Sequence, residues 1–80
     1  MEYVAEIRIE LKKGVMDAEG ETIQKTLNLL NYKVSKVRTI KAYEVVVEAK
    51  DKNDAISKME DACKRLLANP VIQDYSIKIK

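Results

Sequence analysis

Eighty residues with 35% charged side chains and a net charge of +2 make one small domain, too short to bury a large core. Residues 1–40 and 41–80 each carry one excess positive charge, so no basic tail points to nucleic acid. The chain has no histidine and a single cysteine, which excludes a disulfide and leaves the usual zinc ligand sets unsupplied.

Residues 2–11 alternate. Tyr3, Ala5, Ile7, Ile9 and Leu11 share one face; Glu2, Glu6, Arg8 and Glu10 share the other. That period predicts a half-buried strand. Lys12 to Met16 reads as a loop in which Gly14 is free to take a positive φ. Asp17 is a natural N-cap for a helix whose Ile23, Leu27 and Leu30 form one apolar stripe. Gly20 lies in its first turn, where it either loosens the helix or admits another backbone; Asn31 ends the helix.

Residues 34–49 read as two strands with a reversal near Ile40–Ala42. Lys33, Lys36, Arg38 and Lys41 crowd the first of them, as on an exposed sheet edge. The second turns Tyr43, Val45, Val47 and Ala49 to one face and reads as central. Asp51 caps a second helix, with Asp54 in the place of a capping box. Ile56, Met59, Cys63 and Leu66 form its expected buried stripe, and Cys63 is read as a small core residue. Asn69-Pro70 then breaks the helix: proline excludes Asn69 from helical dihedrals, and Asn69 tolerates the left-handed region. A last strand, 72–79, turns Tyr75, Ile77 and Ile79 inward.

Strand-helix-strand occurs twice. The expected fold is α+β and ferredoxin-like: a four-stranded antiparallel sheet with both helices on one face. Right-handed crossovers put the first and third strands in the middle. The open face then carries Val4 and Val46, with Ile40 and Ala42 in the same parity, an apolar group that predicts a homodimer or higher homo-oligomer. Pairing through the lysine-rich strand is disfavoured in this reading, because like charges would meet.

Three stretches carry a resemblance. Leu66-Leu67-Ala68-Asn69-Pro70-Val71-Ile72 with Asp74-Tyr75 is one; Leu11, Lys12, Gly14, Val15, Asp17 and Gly20 are the second; Val37-Arg38 with Lys41 and Glu44 are the third. Together they resemble the PurS-type small subunit of phosphoribosylformylglycinamidine synthase, over the whole chain. The chain departs from that pattern at Ala18, Ile40 and Ala42, where the family often has proline, glycine and an aromatic residue. The resemblance implies a non-catalytic assembly subunit that joins a glutaminase to a large synthetase subunit in purine synthesis. The complex would convert formylglycinamide ribonucleotide, ATP and glutamine to formylglycinamidine ribonucleotide. ATP and magnesium are then expected on the large subunit and no cofactor here. Gly14, Val15, Asp17, Gly20, Arg38 and Lys41 become candidates for the partner interface, and Asn69-Pro70 for a structural turn.

Two other classes share this element order. An RNA-binding module would need aromatics on the open sheet face, where Val4, Glu6, Arg8, Glu44, Val46 and Glu48 stand instead. A small-ligand regulatory domain is the other alternative. No apolar run approaches the roughly 20 residues of a membrane span, and no signal-peptide pattern opens the chain. A cytoplasmic setting without membrane or nucleic-acid partners is expected.

Overall fold

Strand β1 (Glu2–Leu11) is the middle of the sheet. The structure, a computed structural model, describes residues 1–80. β2 (Ile40–Glu48) and β3 (Gln73–Ile79) flank β1, both antiparallel, in the order β2-β1-β3. The β1–β2 register places Val4 opposite Val46 and Glu10 opposite Ile40; the β1–β3 register places Ile7 opposite Ile77. The period-2 reading holds on all three strands, because Ala5, Ile7 and Ile9 are buried and Tyr43, Val45, Val47, Tyr75, Ile77 and Ile79 pack around them.

Helix α2 (Lys52–Ala62) covers that face and contributes Met59 to the core, followed by Cys63 just past its end. Its N-terminus is built as expected. The Asp51 carboxylate accepts from the Asp54 N–H at 2.8 Å, and the Asp54 carboxylate accepts from the Lys50 N–H at 3.0 Å. Asp54–Lys58 and Asp61–Arg65 form i,i+4 ion pairs at 3.5 and 3.3 Å. On the opposite face of the sheet, Lys80 Nζ reaches Glu44 at 2.9 Å and Glu6 at 3.8 Å, an ionic clasp across all three strands. The Glu44 hydrogen bond and charge hold the Lys80 amine above its usual pKa.

Four expectations are corrected. First, the sheet has three strands, not four, and there is no hairpin at Ile40–Ala42: these residues run straight into β2. The segment 34–39 belongs to no sheet because α1 (Ala18–Leu29) claims its backbone with polar side chains. Asn28 exchanges two hydrogen bonds with Val34, at 3.0 and 3.1 Å, and Gln24 Nε2 donates to Ser35 O at 2.9 Å. With no fourth strand, β2 is an edge.

Second, α1 does not join α2 on the sheet. It projects away, and the molecule measures 51 × 24 × 15 Å with a radius of gyration of 16.1 Å. A compact chain of this length would have about 12 Å. Only Gly20 of α1 is buried; Ile23, Leu29 and Leu30 are exposed.

Third, Leu66 is 83% exposed. The helix passes into a π turn at Cys63–Leu67, closed by Ala68 N–H donating to Cys63 O at 3.0 Å. The wider turn rotates the apolar face by a residue, so Leu67 and Ala68 pack where Leu66 was expected.

Fourth, the left-handed residue is Asn31, with φ 71°, not Asn69. Asn31 completes a Schellman end to α1: Tyr32 N–H donates to Leu27 O at 3.0 Å and Asn31 N–H to Asn28 O at 3.1 Å. Asn69 acts through its side chain, accepting from Val71 N–H at 3.0 Å, while its carbonyl accepts from Ile72 and Gln73. Val71 and Ile72 therefore sit in the turn, and β3 starts at Gln73.

Candidate functional site

Where β1 ends, the chain turns through Lys12–Met16 into α1. Val15 N–H donates to Lys12 O at 3.1 Å, and Gly14 takes φ 89° to close the turn. A side chain there would meet open space, so it is the backbone angle that calls for glycine. Lys12 N–H donates to Ile72 O at 2.8 Å and fastens the loop to the Asn69-Pro70 turn.

Asp17 is the joint of this end. Its Oδ1 accepts from Gly20 N–H at 2.9 Å, capping α1, and from Thr39 Oγ1 at 3.0 Å. Its Oδ2 accepts from Thr39 N–H at 2.6 Å. The Thr39 and Gly20 N–H groups hold this carboxyl below the usual aspartate range, helped by the Thr39 hydroxyl and the Arg38 charge against a partial desolvation. Gly20 admits the second chain segment: a Cβ there would lie 2.6 Å from Val37 O. Of the two roles open to Gly20, the structure thus takes close backbone approach.

Between the loop, the start of α1 and residues 36–39 lies a cleft of about 550 Å³. Gly14, Val15, Asp17 and Arg38 all line it. Gly20 is buried and does not line it, and Lys41 stands outside it on β2, opposite Ile9. Four cations, Lys12, Lys13, Lys36 and Arg38, face four acids, Glu10, Asp17, Glu21 and Asp74. Arg38 Nη2 meets Glu10 at 2.9 Å and Lys12 Nζ meets Asp74 at 3.9 Å; Lys13 and Lys36 have no ion pair. A balanced mosaic of this kind suits a protein surface of mixed charge. No three metal-ligating side chains converge anywhere in the chain, and no helix is long and apolar enough to cross a membrane.

Val4 and Val46 are direct cross-strand neighbours on the open face, whereas Ile40 lies at the far end of β2 opposite Glu10. Glu6, Glu44 and Lys80 separate them. Thr39 is a part of the joint that the sequence did not disclose. The polar spacing Asp17, Gly20, Gln24, Asn28 was the available signal, one residue per helical turn beside the apolar stripe.

Residues 4–80 match the family described as PurS, phosphoribosylformylglycinamidine (FGAM) synthase. The PurS subunit of Methanocaldococcus jannaschii is 44% identical over 79 residues, 98% of this chain and 95% of that one. Its crystal structure superposes with a TM-score of 0.90. The Archaeoglobus fulgidus PurS subunit is 48% identical over 92% of this chain and 94% of its own. A chain in the structure of PurLQS from Thermotoga maritima superposes with a TM-score of 0.91 at 31% identity, covering 100% of this chain and 99% of that one. A family match spanning nearly the whole chain, with both the backbone and over two fifths of the residues shared with a relative, places this protein in the PurS family of phosphoribosylformylglycinamidine synthase subunits.

Proposed function

We propose that this chain is the assembly subunit of a multi-subunit phosphoribosylformylglycinamidine synthase. It carries out no chemical step itself; it holds a glutaminase and a large synthetase subunit in register. The glutaminase releases ammonia from glutamine. The large subunit, with ATP and magnesium, activates the amide oxygen of formylglycinamide ribonucleotide and accepts the ammonia, giving formylglycinamidine ribonucleotide. The observation that carries this reading is the full-length likeness to a PurS chain solved as part of PurLQS. The setting is cytoplasmic, without nucleic acid or membrane partners.

The partner-facing surface is the mixed-charge cleft with Gly14, Val15, Asp17 and Arg38, with Gly20 and Lys41 as further candidates next to its lining residues in the chain. The working form is a homodimer or larger homo-oligomer. Its support is α1, whose Ile23 and Leu29, with Leu30 and Tyr32 just beyond its end, are exposed. Titrated pull-downs against the glutaminase and the synthetase subunit test the assembly role. Gly14→Val combined with Asp17→Ala should weaken capture of at least one partner while the circular dichroism of the chain stays folded. Unchanged affinity for both would overturn the assignment of the cleft.

A further inference from the structure

The cleft beside α1 is neutral by formal count, but its charges are not equally free. Glu10 is taken by Arg38 at 2.9 Å. The Asp17 carboxylate is filled by the Gly20 N–H, the Thr39 N–H and the Thr39 hydroxyl. Asp74 faces Lys12 at 3.9 Å. Glu21 alone among the lining acids has a carboxylate without a partner. Against it stand Lys13 on the loop and Lys36 on the wall formed by residues 36–39, neither of them in an ion pair.

The loop backbone adds donors. Val15 N–H closes the turn on Lys12 O, whereas the N–H groups of Lys13, Gly14, Met16 and Asp17 donate to nothing within the chain. All four residues line the cleft. A Cβ on Gly14 would meet nothing within 4 Å, so the space before this backbone is open to an incoming chain. Met16, in the same lining, is 73% exposed. Unspent donors and cations beside acids that are already engaged select for carboxylates or phosphates. A bare methionine adds an adaptable apolar contact. Glu21, with Glu10 and Asp74 behind their bridges, opposes a compact polyanion such as a nucleotide triphosphate. A peptide can space its carboxylates to avoid those acids.

We infer that the cleft takes an acidic segment of a partner subunit, whose carboxylates meet Lys13, Lys36 and the loop N–H groups and whose apolar side chain covers Met16. The inference rests on the assembly reading above and names what the partner brings to that cleft.

Titrated pull-downs against each of the two partner subunits test it. For one of them the Kd of the unmodified chain should rise with ionic strength. Lys13→Glu should raise that Kd about tenfold or more, and Lys13→Glu with Lys36→Glu should raise it further. Lys13→Arg, which keeps the charge, should leave capture close to that of the unmodified chain. Lys13 bonds nothing within the chain through its side chain, so circular dichroism should show each single variant folded. Inorganic phosphate and ADP should leave the melting temperature of the unmodified chain unchanged. A rise with either one that Lys13→Glu abolishes would mean that the cleft takes a small anion, and would overturn the inference. Capture of both partners that ignores salt and Lys13→Glu, while Gly14→Val with Asp17→Ala still weakens it, overturns the acidic segment and keeps the cleft as the interface. Capture that ignores both sets of variants overturns the inference and the cleft together.

Discussion

Replacing Gly20 with alanine should destabilise the protein, against the expectation from helix propensity. In an exposed helix interior, alanine is favoured over glycine by about 1 kcal/mol. Here the new methyl would sit 2.6 Å from Val37 O and 2.8 Å from Asp17 Oδ2. The Asp17 carboxylate can rotate, but only by giving up the Thr39 N–H and Gly20 N–H bonds. The Val37 carbonyl is harder to move, because Asp17 and Gln24 hold the backbone on both sides of it. Forcing one methylene-sized group into such a contact costs about 1–3 kcal/mol. The net effect is a loss of about 1 kcal/mol, which lowers the melting temperature of a chain this size by about 4–8 °C. Thermal unfolding by circular dichroism at one fixed protein concentration reads it. A Gly20→Ala protein that melts at or above the unmodified one would refute the close approach of α1 to residues 37–39.

Two further outcomes follow from the side-chain geometry. Asp17 and Asp54 are held below the ordinary aspartate pKa, chiefly by the Thr39 and Lys50 N–H groups respectively, so their stabilisation is complete above about pH 4 and is lost as pH falls through their folded values. Asp17→Asn with Asp54→Asn should therefore flatten the acid limb of a pH titration of melting temperature; an unaltered limb would count against both hydrogen-bond sets. Leu66→Ala should change stability by less than about 0.5 kcal/mol, whereas Leu67→Ala should cost about 1 kcal/mol or more, measured by urea unfolding. The reverse order would mean that the helix continues as a regular α-helix through Cys63–Leu67.

Much of this architecture was legible in residue order because single local forces set it. Alternation fixed β1 and the inward faces of β2 and β3, and Asp17 and Asp51 announced both helix starts. Residue order and structure part where two forces compete. Val34 to Arg38 has the composition of a strand, yet Gln24 and Asn28 reach its backbone from a helix eleven and six residues earlier. Of the expected stripe on the second helix, Met59 and Cys63 are buried, but Ala55 takes the place expected for Ile56, and the π turn, which carries no sequence signature of its own, turns Leu66 outward. Asn31 and Asn69 both sit at helix ends, and only tertiary context decides which of them goes left-handed and which bonds through its side chain. At the candidate site, Gly14, Val15, Asp17 and Arg38 converge as a group, while Lys41 stays apart because it continues β2 instead of turning at a hairpin.

The central position of β1 has a kinetic side. Neither of its partners is near it in sequence: Glu10 pairs with Ile40, and Ala5 pairs with Ile79, almost the whole chain away. Each pairing closes a long loop before any contact repays the lost entropy, so this sheet should form slowly compared with the two helices. Until β3 docks, β1 and β2 form a two-stranded ribbon with an unfilled edge on either side. The stage at which this protein is most exposed to misassembly is therefore the wait for its last strand.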